Sequence, residues 1–411
     1  LAFPSWASDA TAKPSAALAQ KLHPDVIHGE LANGLRYFLK PTSQLSGEVE
    51  LRLLVNSGSL DEGETERGIA HLIEHMAFRR TTHFAPHEIK EFLNSNGLRL
   101  VNDSNAMTGY ETTTYFLKVK KESLDRALLL LADWANGEIV FDDAELKLER
   151  QIVLDEKSLR SKGQGAWRDY LGLLYPNSDY LDRSPIGTED SIKGLPLAKI
   201  EALYKKLYQP QKISLIASGD LPDDISVKVK NLFAKAQRGD ALPQRAAQAL
   251  TPRVRLYKGV PPPWPQNGAG VSWNFKLAPS SDDEVNLLQS IAMYCLQQRL
   301  QKMAAQDGVL LSAESVDFTG MVGLDRYLTL YAGVKDAKIE EGLTQLYREV
   351  RRAKLNGFTD AEVDSARQDF DKQTMGWAQS PVEWANSLLN TARFGTQTLG
   401  NVEGPKWFRG L

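Results

Sequence analysis

The stretch Gly68-Ile69-Ala70-His71-Leu72-Ile73-Glu74-His75-Met76-Ala77-Phe78 carries two patterns at once. Ile69, Leu72, Ile73 and Met76 recur at i, i+3, i+4 and i+7, the spacing of one buried helix face. His71 and His75 are four residues apart and Glu74 is three from His71, so on that helix the three leave a second face together. A helix over 68–78 would bury one stripe against a sheet and present two imidazoles and a carboxylate to a cleft. Zinc takes neutral imidazole nitrogens at about 2.0–2.1 Å and keeps a position open for water in catalytic sites. A carboxylate beside that water can take its proton, the role for which Glu74 is placed. The plainer alternative, two histidines satisfied by hydrogen bonds on an ordinary helix, is disfavoured.

Working outward, residues 48–55 (EVELRLLV) read as a strand, and Pro86 opens a helix that runs to Asn96 and ends at Gly97. Strands follow at 99–105 and 112–119, then amphipathic helices at 121–136 and 142–159. Later the order recurs: a strand at 270–277, a helix at 282–305, strands at 309–318 and 325–334, helices at 336–355 and 359–375. This is an internal repeat. The fold class expected is α+β, two similar α/β-sandwich-like domains, each a mostly antiparallel sheet with helices on one face. The domains expected are a leader over 1–23, a metal-bearing domain over 24–235, a linker over 236–268 rich in Pro and Gly, and a second homologous domain over 269–411 without the motif. The first block continues with a helix at 196–208, a strand at 212–218 and a helix at 222–234. The second has only about 31 residues after Ser380 and is expected to stop short, so the chain reads as a piece of a longer one.

Composition narrows the function. The chain has 411 residues, 49 Lys plus Arg against 52 Asp plus Glu, and a formal charge of −3. That balance gives no electrostatic reason to expect nucleic acid as partner, and no apolar run is long enough to span a membrane. The single cysteine, Cys295, excludes a disulfide scaffold and a cysteine-rich zinc site. At the N-terminus, Ser5 and Ala7 fit the small-residue positions before a signal-peptidase cut, and a frayed tail reads equally well.

Two histidines leave a metal short of a ligand. All six histidines lie at or before position 87. On the helix over 142–159, Glu149, Ile152, Val153 and Glu156 stand at i, i+3, i+4 and i+7, flanked by Leu146 and Leu159. Two carboxylates thus share an apolar face, and burial makes each demand a metal, a cation or a proton. His83 and His87 form a rival pair four apart, but Pro86 at the head of a helix puts His83 outside it, so the two need not share a face, and surface or capping roles are preferred.

The run Gly58-Ser59-Leu60-Asp61-Glu62 followed by Gly68 to Phe78 resembles the pitrilysin/insulysin family of zinc peptidases, whose motif inverts the usual H-E-x-x-H. The resemblance is nearest to long bacterial periplasmic members with two fused halves. It implies a zinc-dependent endopeptidase with one zinc ion held by His71, His75 and Glu156, Glu149 supporting the Glu156 ligand from behind, and Glu74 as general base. The run from Asn105 to Tyr115 resembles the family's edge strand, which implies that Asn105 and Ala106 bind an extended peptide or protein segment by strand addition. Ser184-Pro185-Ile186-Gly187-Thr188 is a further match. A periplasmic or secreted location is implied too.

The chain departs from the family in three ways. Eighty residues separate His75 from Glu156, a few more than usual. Arg80 stands where Gly is common. The Arg/Tyr pair that a second family half supplies is not found here, so that half is expected as a partner, in the same polypeptide or another chain. Two rivals are carried forward. One is a non-catalytic scaffold or binding subunit of the same fold, the other a protein that only binds metal.

Overall fold

The computed structural model describes residues 22–42, 47–96, 104–176, 178–239, 269–277, 283–306, 308–319, 326–335, 338–377 and 380–394. The expected leader and linker, and the strand expected at 99–105 up to its last two residues, lie almost wholly outside these. Six strands, β1 (Ile27–Glu30), β2 (Arg36–Pro41), β3 (Glu48–Val55), β4 (Ser104–Thr108), β5 (Thr113–Lys120) and β6 (Ile213–Gly219), form one sheet in the order β1-β2-β6-β3-β5-β4. Only β2 and β6 run parallel. The alternation in β3 decides which way the sheet faces. Val49, Leu51, Leu53 and Val55 point to one side with Tyr115, Leu117, Leu215 and Ala217, and all are buried in the main core.

Helices cover that side. They are α1 (Ile69–Ala77), α2 (Glu88–Ser95), α3 (Leu124–Ala135), α4 (Asp143–Leu174), α5 (Glu189–Gly194), α6 (Leu197–Leu207) and α7 (Ile225–Phe233). The stripe Ile69, Leu72, Ile73 and Met76 is fully buried in the same core, so the amphipathic reading of α1 holds. α1 packs on α4 and α6 and touches the edge strand β4. The helix expected over 142–159 runs on to Leu174.

A second sheet, β7 (Ala269–Leu277), β8 (Leu310–Thr319) and β9 (Arg326–Val334), has the order β7-β9-β8. This is the connection order of β3, β4 and β5, and α8 (Asp283–Gln306), α9 (Ile339–Asn356) and α10 (Asp360–Trp377) follow the repeat. The chain is therefore α+β with two similar halves.

Nothing in the sequence pattern anticipates α11 (Pro381–Phe394). It crosses to the other face of the first sheet, where Trp384, Ala385 and Leu388 bury Phe38, Leu54 and Ile216 together with Leu22 and Val26. β3 thus has both faces covered, which explains why its Leu54 is as buried as its neighbours.

In the second half, Arg299 forks onto Glu362, with Nε 2.6 Å from Oε1 and Nη2 2.7 Å from Oε2. Glu362 also accepts the Thr359 amide at the head of α10. These bonds, the Arg299 pair foremost, hold the Glu362 carboxyl down at about 2, below its ordinary value of 4.5. Its folded form therefore binds its proton less readily than the unfolded chain does. The stabilisation is complete above pH 4.5 and lost as pH falls through about 2. Thermal melts of wild type and Glu362→Gln should differ near neutrality and converge over that interval. A constant difference would count against the assignment.

Candidate metal centre

α1 begins where Gly68 takes a left-handed turn, φ 90°. Two features hold its head. Glu62 accepts the Gly68 and Ala70 amides through Oε2 at 2.9 Å and Oε1 at 2.7 Å, satisfying donors that a helix start leaves open. The loop at Gly187 (φ 68°) presses on Gly68 so closely that a Cβ at position 187 would lie 2.3 Å from the Gly68 Cα. At the other end, the Trp134 indole donates to the Ala77 carbonyl at 2.8 Å.

With α1 so held, His71 and His75 stand with ring centroids 4.7 Å apart. The Nε2 atoms of both lie 3.6 Å from Glu156 Oε2. That separation is too long for a hydrogen bond. It is close to the roughly 3.4 Å expected between two donors that each sit about 2.0–2.1 Å from one tetrahedral ion. The two rings also divide the charge between them. Burial, then the neighbouring His75, pushes His71 down to about 4. Burial would lower His75 as well, but the Glu149 and Glu156 carboxylates outweigh it and raise it to about 9. The donor set of two imidazoles and one carboxylate suits zinc.

Behind the rings, Glu149 is 4 % exposed and accepts His75 Nδ1 at 2.8 Å through Oε2. Its other oxygen is taken by Arg79, through Nε and Nη2. Burial works to raise Glu149, but these two cationic donors outweigh it and hold it below the carboxylate range. Arg79 is not foreseen from the sequence. The only signal was that a buried Glu149 required a cation, and the chain offers many. Glu74 is buried, and its Oε2 accepts the Thr108 hydroxyl at 2.7 Å. Burial raises its proton affinity against that bond.

One expectation about α4 needs correction. Ile152 is 44 % exposed and Leu159 is 80 % exposed, so neither belongs to the face of the two carboxylates. The inward line is Leu146, Glu149, Val153 and Glu156, at i, i+3, i+7 and i+10, with Glu156 at its partly open end. Lys157, next to Glu156, donates to the Gly187 carbonyl at 2.7 Å, which ties α4 to the loop that abuts the head of α1.

A second group, His83, Asp133 and Glu138, also brings possible metal donors together among the described residues; His87 belongs to neither group. Its spacing differs. His83 Nδ1 lies 2.7 Å from Asp133 Oδ1, and Thr81 Oγ1 lies 2.5 Å from Asp133 Oδ2. These are hydrogen-bond distances, and they close the group on itself. Asn105 and Ala106 lie on β4, at the edge of the sheet, opposite Phe116 and Tyr115.

Two family models match the chain: insulinase (peptidase family M16) over residues 40–164, and the peptidase M16 inactive domain over 194–370. The first contains the whole metal centre. The probable zinc protease PqqL of Escherichia coli is 25 % identical over 92 % of this chain and 41 % of its own length. A zinc protease PQQL-like of Arabidopsis thaliana is 34 % identical over 53 % of this chain and 23 % of its own. The chain therefore spans about two fifths or less of the length of these relatives. The crystal structure of the first half of the periplasmic protease PqqL from Escherichia coli superposes with a TM-score of 0.75 at 22 % identity, covering 94 % of this chain and 87 % of that one. Both halves of the chain thus fall under models of one family, and the fold agrees with theirs: the chain belongs to peptidase family M16, the insulinase/pitrilysin family.

Proposed function

We propose that this chain is the metal-bearing part of a zinc endopeptidase, with one zinc held by His71 Nε2, His75 Nε2 and a Glu156 carboxylate oxygen. The observation that carries the reading is the 3.6 Å spacing of both Nε2 atoms from Glu156 Oε2, against the 2.7 Å contact that closes the His83 group. Zinc there supplies a Lewis acid that polarises a peptide carbonyl and draws the pKa of water towards about 7. The chain's own residues do the rest. With zinc bound, Glu149, fixed by Arg79, would accept the hydrogen bond of His75 Nδ1 and leave Nε2 to face the ion. Glu74 takes a proton from the attacking water at Oε1, the oxygen that the Thr108 hydroxyl does not use, and returns it to the leaving amine. An extended peptide or protein segment lies along β4 at Asn105 and Ala106. The relatives' greater length makes a second family half the natural partner. The likeness to PqqL of Escherichia coli, a periplasmic protease, favours a periplasmic or secreted setting.

The test is metal content. After dialysis against metal-free buffer, the wild-type chain should retain one zinc, and His71→Ala and Glu156→Gln should each lose it while His83→Ala keeps it. A wild-type chain with no stoichiometric zinc would make it a scaffold of this fold and sink the reading.

A further inference from the structure

Arg160 lies one helical turn beyond Glu156 on α4, at i+4 from it. Its Nη2 meets Glu156 Oε1, and Oε2 of the same carboxylate is the atom on which both histidine Nε2 atoms converge. Arg160 is thus one carboxylate's width from the donor atoms. Its side chain is 60 % exposed, against 25 % for Glu156. The guanidinium therefore lies on the solvent side of the centre, the side from which a substrate arrives.

Two other cations near the centre are committed. Arg79 gives Nε and Nη2 to the buried Glu149, and Lys157 gives its ammonium to the Gly187 carbonyl. Arg160 differs. A guanidinium carries five N–H donors in a planar fork, and among the described residues Glu156 is the one acid paired with it. An exposed i,i+4 pair contributes little, so the guanidinium can take a second carboxylate at small cost. The surrounding charge favours this. Arg79 and Glu149 offset each other, and Glu74 is turned to Thr108. A divalent ion on two neutral imidazoles and one carboxylate leaves that group net positive, and Arg160 extends the positive field outwards.

We propose that Arg160 is a specificity-determining residue: its guanidinium selects peptides that carry Asp or Glu next to the bond to be hydrolysed. This rests on the reading of the chain as a zinc endopeptidase and names a substrate class for it. Neighbouring residues of an extended peptide are about 3.3 Å apart, so a side chain flanking a carbonyl held at the donors extends over the Glu156 rim. A carboxylate there meets the remaining N–H donors in a charge-assisted pair, stronger than a neutral hydrogen bond. A Lys or Arg at the same place is repelled.

The experiment uses the zinc-loaded full-length protein and one extended peptide, made with Glu or its uncharged isostere Gln at each position in turn. At a position flanking the hydrolysed bond, wild type should show a kcat/KM about threefold to fivefold higher for the Glu form, the worth of one exposed ion pair. The margin should shrink as salt is raised. Arg160→Gln should bring the Glu/Gln ratio to about one, and Arg160→Lys, which keeps the charge, should retain most of it. A ratio taken within one variant cancels any uniform loss of activity. The inference is overturned by a wild-type ratio near one on both sides of the bond or by a ratio that survives in Arg160→Gln. Loss of zinc from Arg160→Gln overturns it too, because the arginine would then serve Glu156 alone. Equilibrium binding of the same peptides to the Glu74→Gln protein, with and without Arg160→Gln, separates this from failure of the underlying reading. If wild type hydrolyses neither form, the endopeptidase reading falls. Tighter binding of a Glu form that depends on Arg160 would still uphold the selection, and equal binding of all forms would remove it.

Discussion

Glu74→Gln should keep one zinc per chain and lose hydrolysis by about 10²–10⁴-fold, the usual contribution of a positioned base. The substitution is nearly isosteric, and the amide oxygen can still accept the Thr108 hydroxyl that Glu74 accepts now at 2.7 Å. It also removes a carboxylate from a buried site, so folding should not suffer. None of the donors converging on Glu156 is touched, and His71 and His75 keep their places on α1. What disappears is a group that can take a proton and give it back. Metal analysis together with peptide hydrolysis in the full-length protein checks this. Hydrolysis within tenfold of wild type would remove Glu74 from the mechanism.

Gly187→Ala should damage both stability and metal binding although it lies away from the donors themselves. Its φ of 68° disfavours any side chain, and the added Cβ would meet the Arg67 carbonyl oxygen and the Gly68 Cα, both at 2.3 Å. These are backbone atoms at the head of α1, so no rotamer relieves the clash and the loop must move off the helix. Left-handed strain of about 1–2 kcal/mol and overpacking of about 1–3 kcal/mol both act, for a loss on the order of 3 kcal/mol. The same shift pulls at Lys157, which donates to the Gly187 carbonyl and adjoins Glu156. Zinc affinity should therefore fall about 10–100-fold, as when a ligand's supports are removed. Gly137→Ala is the control: its φ is 83° but a Cβ there meets nothing within 4 Å, so it should cost only the strain of about 1–2 kcal/mol and leave zinc affinity alone. Denaturant unfolding and zinc titration of the two variants decide the matter. Equal losses in both would mean that the contact with α1 contributes nothing.

Much of this protein is legible along the chain because its information is local. The helical period of Ile69, Leu72, Ile73 and Met76 fixes which side of α1 faces the sheet, and hence that His71, Glu74 and His75 share another side. The order strand, helix, two strands, two helices, met twice, announces the two similar halves that the sheets β3-β5-β4 and β7-β9-β8 share. Glu149 and Glu156 stand out because their seven-residue separation places two acids on one inward line.

What the sequence alone determined, then, is period, charge and order: which residue types sit on one face of one element. What only the tertiary structure decided is which faces meet. Arg79 rather than another cation answers Glu149, Thr108 ties down Glu74, Gly187 abuts Gly68, and α11 comes back to cover the far side of β3. Each of these joins residues far apart along the chain, the nearest of them 34 positions and Arg79 with Glu149 70. Ile152 and Leu159 show the same limit: they sit at helical spacing beside the two acids and yet face outwards. Periodicity ranks the sides of a helix but carries no record of how far the neighbouring elements wrap around it. Long-range pairs are chosen by packing of the whole chain, where each contact depends on many others being made at once.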